Sequence, residues 1–280
     1  MELLIKELAK KWGIEGFNNH EQKSFEVGYI KNYFPNYLSL KKKLLESRDD
    51  TNAAEQKRLF NAMRIYIYTI FENLWFGYLL SYSEQHASSF QVHGKTIEFF
   101  SPFTTHLPSY SAAILHFGSC RDLFFILLKL CVDPSKISDA ENTSKLITTT
   151  YNEGNFIKDL KTLSGNTNQD YIDAGKRVYK LNEFRNFFAH RMRLLWWHNR
   201  KCNTLDYFIK RGVYDAIRNR RKEDYKKHVF NVLEDHKSYE SDIENSDCSD
   251  LVSSGEILRE THDMIASFFN NTLKFISNKI

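Results

Sequence analysis

Residues 181–200, LNEFRNFFAHRMRLLWWHNR, hold side chains suited to work on a phosphodiester. Arg185, Asn186 and His190 fall within one short stretch of it. A histidine with an ordinary pKa near 6.5 gives or takes a proton at neutral pH. A guanidinium holds a phosphate by two parallel hydrogen bonds and stabilises the charge that develops on it. Asn186, four residues before His190 and on the same helical face, can orient the imidazole or the phosphate. RNA carries its own nucleophile, the 2′-OH, so a base, an acid and a cation suffice to cut it without a metal. Other chemistries find little footing. His86, His93, His106 and His116 lack metal-ligand spacing and there is no HExxH, so no metal site is expected. No P-loop, GxGxxG or GxSxG is present, and no cofactor is expected.

The element that would position these residues reads as one helix from about Asp170 to His198. At about 100° per residue, Ala174, Val178, Leu181, Phe184, Phe188, Met192 and Leu195 form one core-facing stripe. Asn186, His190, Arg193 and Trp197 fall nearly opposite, and Arg185 sits at the edge of the core stripe, about 140° from His190. Phe187 and Leu194 leave the helix apolar almost all round, so both sides should be covered, the second by N-terminal helices or by another subunit. A plainer structural role is also open: Arg185 bridging carbonyls or a carboxylate such as Glu183 or Glu72, His190 packed between helices, and Trp196-Trp197 in a core.

Arg185-Asn186-x-x-x-His190 resembles the R-x(4–6)-H signature of the HEPN superfamily, with the polar residue after the Arg that the family favours. The string RNFFAHRMRL is further similar to the RN-x-x-AH-x-x-RL stretch of Abi-like HEPN proteins. The resemblance covers the motif helix and leaves the first fifty residues and the 200–250 region unaccounted for. It implies an α-helical bundle and a homodimer whose two motifs face one cleft, so that the second subunit completes the acid and base. It also implies metal-independent RNA cleavage leaving 2′,3′-cyclic phosphate ends, in a toxin or antiviral defence setting. An antitoxin or other defence-system protein is an implied partner. Arg185, Asn186 and His190 are then the catalytic set.

Charge is strongly patterned around the motif. Between Arg191 and Lys227 twelve Lys/Arg face four acids, a local balance of +8, whereas Glu234–Asp250 holds seven acids against Lys237 alone. Clustered Lys/Arg with Tyr and Phe nearby fits a polyanion. Arg191, Arg193, Arg200, Lys201, Arg218, Arg220 and Arg221 are the expected RNA contacts. The acidic stretch reads as a flexible loop. Two further readings belong to other classes: a non-catalytic helical module binding RNA or protein through the basic surface, and a scaffold whose acidic loop docks on a basic partner.

The whole chain bounds these options. Its 280 residues are 42% hydrophobic and 26% charged, with 22 Phe and 15 Tyr, enough to bury a sizeable core. Only 11 Gly and 4 Pro argue for long helices, and the net charge of +4 diagnoses no partner. Four scattered cysteines (120, 131, 202, 248) suit reduced thiols in a cytoplasm rather than a disulfide framework. The N-terminal MELLIKELAKKWGIEGF reads as a short amphipathic helix without a signal peptide's apolar core. The apolar runs Ile65–Leu80 and Leu123–Val132 fall short of the roughly 20 residues that span a bilayer, so no membrane is expected.

The expected architecture is all-α: an N-terminal helical region (1–54), then a HEPN-like helical domain (55–280) with a charged insertion at about 200–252. Pro35 breaks the first region, a long helix runs from about Glu55 to Tyr82 and a second from about Tyr110 to Val132, stopped at Asp133-Pro134. FQVHGKTIEFF (90–100) predicts a small β-hairpin insertion around His93-Gly94-Lys95. Weak helical signals run over Lys145–Leu163, Gly165–Asp170 is a loop, and a last helix covers about Ser254 to Asn278.

Overall fold

Helix-forming side chains at helical spacing, with few glycines or prolines to interrupt them, build most of the described residues into helices. The computed structural model describes residues 25–50, 54–86, 89–92, 95–98, 102–135, 151–165, 168–181, 185, 197–198, 207–219 and 222–280. A π-helical turn (Phe25–Ile30) and a short helical turn (Lys31–Tyr33) precede α1 (Pro35–Asp50), whose first residue is Pro35. Proline suits that position, because its missing N–H has no intrahelical partner there. Next come α2 (Ala54–His86), β1 (Ser89–Val92), β2 (Lys95–Glu98) and α3 (Pro102–Val132). Then follow α4 (Glu153–Ser164), α5 (Gln169–Tyr179), β3 (Trp197–His198) and β4 (Tyr207–Lys210). The chain continues through α6 (Arg211–Arg218), α7 (Lys222–Glu234), α8 (His236–Asn245), β5 (Leu251–Ser253) and α9 (Ser254–Lys279). The fold is all-α with a small hairpin: β1 and β2 pair antiparallel from Ser89↔Glu98 to Val92↔Lys95, around the expected turn.

The chain forms two compact units, each discontinuous in sequence. The first takes Met1–Trp75, His116–Leu181 and His262–Ile280; the second takes Phe76–Leu115 and Asn182–Thr261. Described residues on both sides of position 54 therefore belong to the first unit.

Aromatic rings hold the first unit together. Phe34 meets Phe71 at 4.6 Å between ring centroids, Phe71 meets Phe269 at 5.5 Å and Phe269 meets Phe124 at 5.7 Å. Phe124 continues to Phe268 at 4.9 Å, which stacks on Tyr171 at 5.0 Å. These offset and edge contacts each add roughly 0.5–1.5 kcal/mol beyond the area they bury. On α2, Met63, Ile67, Ile70 and Leu74 are buried, as their spacing predicts, and Tyr78 is buried in the second unit. Asp159 is buried too, satisfied by Lys129 Nζ at 2.8 Å and by the Tyr151 hydroxyl, which donates at 2.6 Å. Burial, with the adjoining carboxylate second, pushes the Tyr151 hydroxyl well above its ordinary range, so it stays the donor.

α4 and α5 pack closely through a connection with sharp signals. The Asn152 side chain caps α4 by accepting from the Asn155 amide, and Asn168 caps α5 by accepting from the Tyr171 amide. Gly165 ends α4 at φ 78°, the left-handed conformation glycine adopts without strain. Gly175 permits the close approach: a Cβ there would press on Leu160 Cδ1 and lie 3.2 Å from Phe268 Cε2.

The structure departs from expectation in three places. The helix expected from Asp170 to about His198 ends at Tyr179, where Lys180 is the C-cap. Leu181 and Arg185 are helical again, but Trp197 and His198 form β3, opposite Phe208 and Tyr207. Trp197 therefore does not share a helical face with Asn186. β4 also pairs with β5, Ile209 opposite Val252 and Lys210 opposite Leu251, which closes a three-stranded antiparallel sheet. The acidic stretch is not a flexible loop: α8 runs through it, capped by Asp235 accepting from the Ser238 amide. Tyr239 and Ile243, four apart on α8, are buried, as are Val213, Tyr214 and Ile217 on α6. Apolar residues at helical spacing decided the structure there despite the surrounding charge.

Two further expectations are corrected. α3 starts at Pro102, some eight residues before the expected start, and runs through Pro108, which lacks the N–H for the rung to the Thr104 carbonyl. Its stretch Tyr110–Val132 is the one described segment long and apolar enough to cross a membrane, longer than the run counted from Leu123. More than half of its most apolar window is buried within the protein. Cys248 is disulfide-bonded, against the expectation of reduced thiols, and its partner lies outside the described residues. Spacing along the chain does not report which cysteines a fold brings together. Cys120 and Cys131 are free, with burial pushing the Cys120 thiol up.

Candidate functional site

Arg185 is the described member of the motif. It is helical and half-buried in the second unit, and its guanidinium makes no hydrogen bond or ion pair among the described residues. A guanidinium partly withdrawn from water gains most from an anion that takes two of its N–H groups together. Asn186, His190, Arg191, Arg193, Arg200, Lys201, Arg220 and Arg221 lie outside the described residues.

The described part of the basic block faces carboxylates. Lys210 Nζ lies 2.6 Å from Asp242 of α8, and Arg211 lies 3.6 Å from Glu256 of α9. Arg218 Nη1 lies 3.1 Å from Glu260 Oε2, which also accepts the Tyr214 hydroxyl at 2.7 Å. Asp242 of the acidic block, with Glu256 and Glu260 of α9 beyond it, thus neutralises part of the basic block. Arg218, expected to touch RNA, keeps its remaining donors for such a contact. Lys227 on α7 is exposed.

The described histidines of the first unit are His116 and His262. His262 is fully buried; Asp263 Oδ1 lies 2.9 Å from its Nδ1, and the Tyr29 hydroxyl 2.6 Å from its Nε2. The carboxylate requires Nδ1 to carry the proton, so Nε2 accepts from Tyr29. The rings of Tyr29, Tyr33 and Phe117 surround it, and burial lowers its pKa. With both nitrogens engaged and no solvent access, His262 is a packing and hydrogen-bonding residue of the core. His116, half-buried, has Nδ1 2.9 Å from Asn73 Oδ1, and burial lowers its pKa as well.

Sequence reasoning missed one feature of the first unit. α1 and α2 border a cleft of about 640 Å³. Tyr37 and Lys41 of α1 line it, together with Asn61, Arg64, Ile65 and Tyr68 of α2. The signal lies in the spacing, because Asn61, Arg64 and Tyr68 share a helix face and so do Tyr37 and Lys41. The two faces lie on different helices, and nothing along the chain sets them side by side.

No family model, curated protein or solved structure matches this chain.

Proposed function

We propose that the chain is a metal-independent endoribonuclease of the HEPN type, acting as a homodimer in a toxin or antiviral defence setting. The observation that carries this reading is Arg185: a half-buried guanidinium without a carboxylate partner among the described residues, beginning the Arg-Asn-x-x-x-His string. An all-α fold agrees with it. In the reaction a base removes the proton of the 2′-OH, whose oxygen attacks the adjacent phosphorus. The bond to the 5′-oxygen breaks and an acid protonates that leaving oxygen, giving a 2′,3′-cyclic phosphate and a 5′-OH. His190 supplies one proton transfer and the second subunit's motif the other. Arg185 binds the non-bridging oxygens and Asn186 orients the imidazole or the phosphate.

RNA cleavage in EDTA with end-group analysis tests this, comparing wild type, His190→Ala and the Arg185→Ala/His190→Ala double variant. Wild type is expected to leave cyclic-phosphate ends and His190→Ala to lose roughly 10²–10⁴-fold in rate. Cleavage by His190→Ala at the wild-type rate would overturn the assignment. Salt-sensitive RNA binding with no cleavage by any protein would favour the non-catalytic binding module.

A further inference from the structure

We propose that α7 pairs antiparallel with α7 of a second copy of this chain, Phe230 and Leu233 at the centre and Lys227 against Glu234 at each end. Val232 anchors α7 in the second unit, where it is 1% exposed. At about 100° per residue, Phe230 then lies nearly opposite Val232, and Leu233 to one side. Phe230 and Leu233 are each 60% exposed and stand three apart, so they are neighbours on one helix face. Two adjoining large apolar side chains in water gain free energy from any surface that covers them.

The order of charges along that face selects a second copy as the cover. Lys227 stands about one turn before Phe230 and Glu234 about one turn after it, within about 20° of each other around the axis. The Asp235 amide donates to the Asn231 carbonyl at 2.8 Å, so helical geometry holds through Glu234. Lys227 and Glu234 are exposed, and neither makes an ion pair or hydrogen bond among the described residues. A two-fold axis beside Phe230 reverses the second helix and sets Lys227 of each copy opposite Glu234 of the other. An isologous interface requires this property, a patch complementary to itself after rotation.

Other covers fit this face less well. A nucleic-acid strand or an anionic membrane favours an unbroken cationic surface, and Glu234 interrupts this one. Its extent sets the strength: a face about two turns long buries less than the roughly 1,200 Å² of stable interfaces, so the pairing is a weak one, in about the micromolar range. The pairing is read from α7 alone, which carries no residue of the Arg-Asn-x-x-x-His string, and it does not rest on the cleavage reading.

Sedimentation equilibrium on the full chain, from roughly 5 to 200 µM, tests the proposal. Wild type is expected to pass from monomer to dimer, and Phe230→Glu to stay monomeric with an unchanged circular dichroism spectrum. Lys227→Glu and Glu234→Lys are each expected to weaken the dimer roughly fivefold or more, because like charges then face each other. The double reversal Lys227→Glu/Glu234→Lys is expected to restore it to within about twofold, a rescue that damage to the fold would not give. His190→Ala is expected to dimerise as wild type does, so loss of cleavage and loss of pairing are read separately. A wild type that stays monomeric throughout would overturn the proposal, and its sedimentation with phosphatidylglycerol vesicles would give the face to a membrane instead. A dimer that survives Phe230→Glu would also overturn it, leaving the homodimer of the cleavage reading to another surface. So would a double reversal that pairs as weakly as the single variants.

Discussion

The Tyr29 hydroxyl and His262 Nε2 lie 2.6 Å apart although 233 positions separate the two residues in sequence. The bond fixes the neutral tautomer of a histidine that burial already disfavours in charged form. Next to it Asp263, 65% exposed, holds the other ring nitrogen and works weakly in the opposite direction.

That arrangement dictates a pH dependence. The folded pKa of His262 lies below its ordinary value of 6.5, so between the two values the unfolded chain binds a proton that the folded chain does not. The contribution of His262 is complete above about pH 6.5 and is lost as pH falls toward the lower folded value. Thermal unfolding from pH 7.5 to 5 is expected to show wild type losing more stability on acidification than His262→Gln. Parallel curves for the two proteins would remove the role given to this histidine.

Gly175 makes a prediction about packing. In an exposed helix the change Gly→Ala gains about 1 kcal/mol of propensity. Here the added methyl group would meet Leu160 and Phe268 inside van der Waals distance, and overpacking of this kind costs about 1–3 kcal/mol. Gly175→Ala is therefore expected to lower the unfolding midpoint, with Gly175→Val worse. A midpoint raised in the alanine variant would mean that the Leu160 and Phe268 side chains yield to the methyl group at little cost.

Cys248 is expected to resist alkylation by iodoacetamide in denaturant without a reductant, while Cys120 and Cys131 are labelled. After dithiothreitol all three should be labelled. Peptide mass spectrometry reads the result directly, and labelling of Cys248 in the unreduced sample would contradict the bond.

Long elements were legible in the sequence because their evidence is repeated. α2 shows apolar residues through about six turns, from Leu59 to Leu80, and α9 ends within one residue of its expected end. The hairpin was legible from two β-prone runs around His-Gly. Short, distant pairings were not: β3 has two residues and β5 three, and neither repeats a pattern long enough to stand out. α8 does carry a signal, since Asp235 is a good N-cap and Tyr239 and Ile243 are spaced by four, but the acidic residues around them outweigh it in the composition. Of the candidate site, Arg185 and Arg218 lie among the described residues. The α1–α2 cleft is not legible because its lining comes from different helices, and nothing in a linear reading sets them side by side.

The discontinuity of the first unit bears on how the molecule is made. Its third piece, His262–Ile280, brings Phe268, Phe269 and the acceptor for Tyr29. A ribosome that has delivered everything up to Thr261 has produced α1, most of α2 and the Phe124 region without the rings that cover them. The rings that complete the packing of Phe34, Phe71 and Phe124 thus arrive only after residues 182–261 have been made, and this interval is when a holding chaperone would matter most.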